Sequence, residues 1–164
     1  MRKMITVKIN GEERQYPQGA TYEDVASDYQ QEYENLIALA ARDGKIRELF
    51  KKLTRDCEVT FFTLKDDVGN KSYVRSATML FLKAVFDVYG REAAQSCRVE
   101  FAIGNGSYIS PKGKINATEE NAAKIRNRMR ELVEAKTPFL KRSYSLDNAM
   151  EPVSYTHLTL PTIA

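Results

Sequence analysis

Ser72–Gly90 reads SYVRSATMLFLKAVFDVYG. Its apolar residues are Val74, Ala77, Leu80, Phe81, Leu82, Ala84, Val85, Phe86, Val88 and Tyr89, more than one helical stripe requires. A segment apolar around most of its circumference predicts a buried central helix. One polar line remains. Arg75, Met79, Lys83 and Asp87 recur at steps of four and therefore stack on a single helix face. Any site on this helix has to stand on that line.

On the N-terminal side, Met4–Asn10 alternates Ile5, Val7 and Ile9 with polar partners, the period of a half-buried strand. Asn10-Gly11 is a strong hairpin signal, so Glu12–Tyr16 is expected to return antiparallel. Thr21 can cap a helix over Tyr22–Gln30, with Glu23 and Asp24 in its first turn and Val25, Ala26 and Tyr29 facing inward. Leu36–Ala41 reads as a short strand, Asp43-Gly44 as a turn and Lys45–Leu49 as its return. Cys57–Leu64 (CEVTFFTL) alternates as a last strand crossing the middle of the sheet. Strand, strand, helix and further strands within residues 1–64 predict a β-grasp, ubiquitin-like domain. Lys65–Tyr73 is polar and contains a glycine, so 65–73 reads as a linker.

On the C-terminal side, Cys97–Ile103 alternates as a strand, Asn105-Gly106 turns, and Ser107–Ser110 returns. Pro111–Asn116 is a loop. Thr118 is an N-cap for a helix to about Ala135, with Ala122, Ile125, Met129, Leu132 and Val133 on one face and a basic outer face of Lys124, Arg126, Arg128 and Arg130. Pro138 stops it, Phe139–Tyr144 reads as an edge strand, and Ser145 can cap a last helix over Leu146–Met150. Residues 74–151 thus form a second, α+β domain, and the chain as a whole is α+β.

Composition limits the alternatives. Of 164 residues, 43% are hydrophobic and 29% charged, so a packed core is expected rather than disorder. The net charge of +3 is too small to argue for nucleic acid by itself. Thr21–Glu34 is acidic and Arg42–Arg55 basic, which two solvated faces explain. Cys57 and Cys97 lie far from any histidine or second cysteine, so they are expected as buried free thiols without zinc. No apolar run approaches the ~20 residues of a membrane span, and no signal peptide opens the chain; a cytoplasmic protein without a membrane partner is expected. Pro152–Ala164 (PVSYTHLTLPTIA) carries no charge and holds the single histidine, His157. It resembles the conceptual translation of a sequencing adaptor, so 152–164 is read as a tail foreign to the natural protein, which is expected to continue beyond Glu151.

Two resemblances extend this reading. The runs ITVKINGEERQYPQGATYEDVA, LIALAARDGKIREL and DCEVTFFT resemble the TGS domain, a β-grasp module at the N-terminus of threonyl-tRNA synthetases and some GTPases. That family implies a regulatory or RNA-contacting role without catalytic residues. VRSATMLFLKAVFDVYG, EFAIGNGSY and KIRNRMRELVEAKTPFLKRSYSLDNAM resemble the second additional domain of threonyl- and alanyl-tRNA synthetases, an editing domain. Active members carry His-x-x-x-His on the first helix, and those positions hold Arg75 and Met79 here. An arginine stays protonated and a lone thioether is a poor ligand for hard ions, so no catalytic or metal role and no editing hydrolysis is expected.

The combination of a TGS domain with a histidine-free editing-like domain is similar to the N-terminal half of the larger bacterial nucleoside (uridine) kinases. On that resemblance the chain is a non-catalytic regulatory region, its partner is a P-loop kinase domain that follows, and ATP and magnesium belong to that domain alone. No Gly-x-x-x-x-Gly-Lys-Ser/Thr loop occurs here, so this stretch is expected to hold no cofactor. The alternative is a tRNA- or RNA-binding N-terminal region of a threonyl-tRNA synthetase-related protein. RNA or a nucleotide is the further partner that either reading entertains. Arg75 with Lys83 could hold an anion, against a plain Lys83–Asp87 surface pair. Lys124 and Arg128, with Lys141 and Arg142, could follow a phosphate backbone, against an ordinary wet helix face. Tyr108 could stack on a base, against a contact within the hairpin core.

Overall fold

In the computed structural model, residues 3–103, 106–111, 115–140 and 145 are described. They fall into two compact units divided between Ser76 and Ala77, and the long helix runs through the division.

The first unit is built on a mixed five-stranded sheet. Strands β1 (Met4–Ile9), β2 (Glu12–Pro17), β3 (Ile37–Arg42), β4 (Lys45–Arg47) and β5 (Cys57–Thr63) lie in the order β2-β1-β5-β3-β4. The β1–β2 hairpin turns at Asn10 and Gly11, with φ of 51° and 89°. Both residues are left-handed, as a tight two-residue turn matching the strand twist requires. Asp43 and Gly44 repeat the device between β3 and β4, with φ of 49° and 75°. β5 lies in the middle, parallel to β1 and antiparallel to β3. Its alternation places Cys57, Val59, Phe61 and Thr63 inward, as the period-two pattern expects.

Helix α1 (Tyr22–Tyr29) buries Tyr22, Val25, Ala26 and Tyr29. A reciprocal capping box starts it: Asp24 N–H donates to Thr21 Oγ1 at 3.1 Å, and Thr21 N–H donates to Asp24 Oδ2 at 2.7 Å. Ile5, Val7, Ile9, Tyr22, Val25, Tyr29, Ala40, Leu53, Val59 and Phe61 share one core with α1. The expected strand plan differs at β4. β4 ends at Arg47 rather than Leu49, because the chain leaves the sheet edge to bond to the start of α1, with Glu23 N–H donating to Leu49 O at 2.8 Å and Tyr22 N–H to Lys51 O at 3.0 Å.

The expected linker over 65–73 is largely helical. Helix α2 spans Asp67–Tyr89, starting five residues before Ser72. Asp66 makes this start possible, since its carboxylate accepts from Thr63 N–H and Thr63 Oγ1 at 2.7 and 2.9 Å and closes a tight strand-to-helix turn. Gly69 then passes directly over the end of β5.

In the second unit, Gly90 (φ 82°) breaks the helix, and a short helix α3 (Arg91–Ser96), not anticipated in the sequence reading, follows it. Strands β6 (Arg98–Ile103) and β7 (Gly106–Ser110) form an antiparallel two-stranded ribbon with a register shift between Val99 and Phe101. Helix α4 (Glu119–Glu134) starts at Thr118, whose Oγ1 accepts from Asn121 N–H at 3.3 Å. The core gathers Ala84, Val85, Ala93, Cys97, Ile115, Ile125 and Leu132, with Leu80, Phe81, Tyr89 and Met129 against it.

The expectation that α2 is buried on most sides does not hold. Of its apolar side chains only Ala84 and Val85 are fully buried, while Tyr73, Val74 and Phe86 are exposed. Val133, expected on the inner face of α4, is likewise exposed. Phe139 and Leu140, placed in an edge strand by the sequence reading, are exposed and non-strand. The rest of that strand, the expected helix Leu146–Met150 and the tail 152–164 lie outside the described residues.

Candidate functional site

The polar line of α2 is real but is not one site. Arg75 is exposed and Met79 half-buried, and the two stand one turn apart on α2. Among the described residues no group of three or more histidine, cysteine or carboxylate side chains could hold a metal ion. Lys83 is committed further along the line, where it pairs with Asp87.

Asp87 is the electrostatic hub of the second unit. It accepts from Lys83 and, through Oδ2, from Arg128 Nε at 2.9 Å, with Arg128 Nη2 at ion-pair distance, also 2.9 Å. Its side chain is 16% exposed. Burial alone would push its carboxyl up, but the hydrogen bonds from Lys83 and Arg128 outweigh burial and hold its pKa below the usual carboxylate range. Arg128 also donates to Glu131 Oε2 at 2.8 Å. The guanidinium that the sequence reading offered to a phosphate backbone therefore ties α4 to α2.

The geometry of α4 further divides the expected basic face. At 100° per residue, Lys124 and Arg128 fall on one flank of the buried stripe Ile125–Met129–Leu132 and Arg126 and Arg130 on the other, their centres roughly 160° apart. A spacing of two residues carries a helical side chain most of the way round, which the count of cations along the sequence hides. Lys124 pairs with Glu120 at 2.7 Å. Arg126 lies 3.7 Å from Glu119 and Arg130 is exposed. The second flank thus carries the less committed cations. Lys141 and Arg142 lie outside the described residues.

Tyr108 takes neither of its two expected places fully. It stacks on Phe101 across the ribbon, ring centroids 5.1 Å apart at 19°, with both rings about half exposed. Such a pair steadies the ribbon and leaves one ring face open.

A cleft of about 500 Å³ lies within the second unit. Phe81, Ile109, Ile115, Ile125 and Met129 form its apolar wall, and Glu119 and Arg126 stand at its polar rim. Its polar side chains are mostly spent on the fold: Asn121 donates to Asn116 O at 2.9 Å and accepts from Tyr89 Oη at 2.8 Å. Cys97 lines the cleft with a thiol that burial pushes above its ordinary pKa, so it is a poor nucleophile at neutral pH. Of the candidate residues named from sequence, none of Arg75, Met79, Lys83, Lys124 and Arg128 lines this cleft. Sequence reading missed it because its wall is made of residues from α2, β7, α4 and the loop between, which no local pattern links.

No helix among the described residues is long and apolar enough to cross a membrane.

No protein-family model matches the chain. Threonine–tRNA ligases are similar to it. The ligase of Thermotoga neapolitana is 28% identical over 156 residues, covering 91% of this chain and 23% of that protein. The ligase of Maricaulis maris is 27% identical over 148 residues, covering 90% and 22%, and that of Symbiobacterium thermophilum 24% identical over 150 residues, covering 91% and 23%. The chain spans about a quarter of the length of these relatives and matches their N-terminal region. The similarity is thus to a threonyl-tRNA synthetase N-terminal region. Nothing in these similarities supports the nucleoside-kinase parent, or the ATP and kinase domain expected with it.

Proposed function

We propose that this chain is a tRNA-binding N-terminal region of a threonyl-tRNA synthetase-related protein, acting by contact and not by hydrolysis. The similarity to threonine–tRNA ligases along nine tenths of the chain carries the reading. The first unit is a β-grasp module of TGS type: its β1–β2 hairpin, the helix packed on the sheet and the central β5 support that assignment. The second unit is an editing-like domain that has lost its chemistry. Arg75 and Met79 replace the imidazole pair, and a permanent cation with a thioether can contact a ligand without activating water.

The flank of α4 bearing Arg126 and Arg130 is the surface that meets the RNA backbone, because its cations are less committed within the fold than Lys124 and Arg128. The test is a titration of the full chain with threonine tRNA at about 50 and about 200 mM salt. Binding should weaken steeply with salt, and the double variant Arg126→Gln/Arg130→Gln should lower the slope of log affinity against log salt by about 2. Lys124→Gln should change it little. Absence of binding at the lower salt, or a double variant indistinguishable from the parent, removes this reading.

A further inference from the structure

The β3–β4 hairpin gathers positive charge on one face. Cross-strand partners share a face of the sheet. Arg42 faces Lys45 and Ala40 faces Arg47, so Arg42, Lys45 and Arg47 project on the side of Ala40. Ala40 is fully buried and belongs to the same core as Tyr22, in the first turn of α1. The three cations therefore stand where the core opens at the end of the hairpin.

The nearby acids are already engaged. Asp43 accepts from Arg55 at 3.0 Å and from Glu58 N–H at 3.1 Å, Asp56 accepts from Thr6 N–H at 2.8 Å, and Glu48 has contacts of its own. Among the described residues Arg42, Lys45 and Arg47 form no ion pair, although the Arg42 charge reaches the Asp43 carboxylate that Arg55 holds. Arg42 donates to Thr54 Oγ1 at 3.2 Å, and Arg47 to Ile46 O at 3.3 Å. Each guanidinium has five N–H donors, so most of this donor capacity is unspent.

The second observation is the Tyr22 hydroxyl. It is buried, with the residue 1% exposed, and makes no hydrogen bond of ordinary geometry, although the Arg42 side chain acts on it as a donor of longer reach and leaves its own proton without an acceptor. A buried hydroxyl proton without an acceptor is costly and calls for an explanation. Burial pushes its pKa up, with Cys57 adding to it, and the charge and side-chain hydrogen bond of Arg42 and the charge of Arg47 act in the opposite direction. An oxyanion among them would accept from both guanidinium groups and from the phenol together.

We propose that Arg42, Lys45 and Arg47, with the Tyr22 hydroxyl as a neutral buried donor, form a phosphate-binding site at the open end of the β3–β4 hairpin. The guanidinium forks match the oxygens of a phosphate in a way a lone ammonium does not. The hydroxyl gains a charged acceptor in place of its unmade bond. The site is built from the first unit alone and does not depend on the tRNA reading of α4.

The test is an NMR titration of the isotope-labelled full chain with inorganic phosphate, with chloride at matched ionic strength as control. Amide shifts should move at residues 40–47 and Tyr22 with phosphate and not with chloride. Arg42→Gln and Arg47→Gln should each weaken binding roughly tenfold. Tyr22→Phe should weaken it about threefold while its melting temperature holds or rises, which separates loss of a donor from loss of fold. A nucleoside monophosphate binding as phosphate does marks a terminal phosphate as the ligand. Tighter binding of a short single-stranded RNA without a terminal phosphate marks a backbone diester. No selective shift up to about 20 mM phosphate, an equal response to chloride, or an unchanged affinity in the arginine variants or in Tyr22→Phe overturns the site.

Discussion

Gly69→Ala sets helix propensity against packing, and the structure decides the sign. Gly69 lies in the first turn of α2. On propensity alone alanine there should stabilise the helix by about 0.8–1 kcal/mol. The Cβ it adds would lie 2.0 Å from the Thr63 carbonyl oxygen and 2.8 Å from its carbonyl carbon. Both are backbone atoms that cannot rotate away. Thr63 is paired with Ile37 across β3–β5, and its carbonyl accepts from Asp66 N–H at 3.1 Å while its own N–H donates to Asp66 Oδ2 at 2.7 Å. Relieving the overlap requires a shift of about 1 Å or more and breaks that turn. Overpacking together with one or two lost hydrogen bonds costs about 2–4 kcal/mol, which leaves a net loss of about 1–3 kcal/mol after the propensity gain.

Hydrogen exchange at the Ala40 and Phe61 amides reads the stability of the first unit directly, without assuming that both units unfold together. Exchange there should quicken in Gly69→Ala. Lys71→Ala, at an exposed position of the same helix, should leave it nearly unchanged. Protection equal to or greater than the parent's in Gly69→Ala would show that α2 does not press on β5 as described.

Two further perturbations follow from the hydrogen bonds. Thr21→Ala removes half of the capping box and should destabilise the first unit by about 1 kcal/mol, read as a lower urea midpoint for loss of α1; an unchanged midpoint would mean the cap is not formed in solution. Asp87→Asn removes the charge that Lys83 and Arg128 hold and should cost the second unit about 1–3 kcal/mol at neutral pH. Because the folded-state pKa of Asp87 is depressed, its stabilisation is full above the unfolded carboxyl range and is lost as pH falls through the lower folded value. The parent and Asp87→Asn should therefore converge in stability toward acid pH, and a constant difference from neutral to strongly acid pH would remove Asp87 from the role of hub.

The strands and helices of the first unit are legible because each carries a local cause. Asn10-Gly11 and Asp43-Gly44 supply left-handed residues at turns, Thr21 and Asp24 cap each other, and β5 alternates. The second unit was read less well. The ribbon and α4 follow from alternation and the Thr118 cap, but the apolar excess of Ser72–Gly90 misled, since hydrophobicity reports what a helix could bury and not how much neighbouring surface exists to cover it. The polar linker expected over 65–73 failed for a related reason. Asp66 holds the end of β5 by its carboxylate, so the helix starts at Asp67, and that bond cannot be inferred from composition.

By itself the sequence determined the local elements, because backbone preferences and turn residues need no long-range information. Tertiary structure alone decided which charges remain available. Asp87 meets Arg128 across 41 positions, α4 turns its cations to two flanks, and β3 and β4 bring Arg42, Lys45 and Arg47 to one face on the side of the core that holds Tyr22. Charge acts through space, and the distance between two side chains is set by pairing and packing rather than by their separation along the chain.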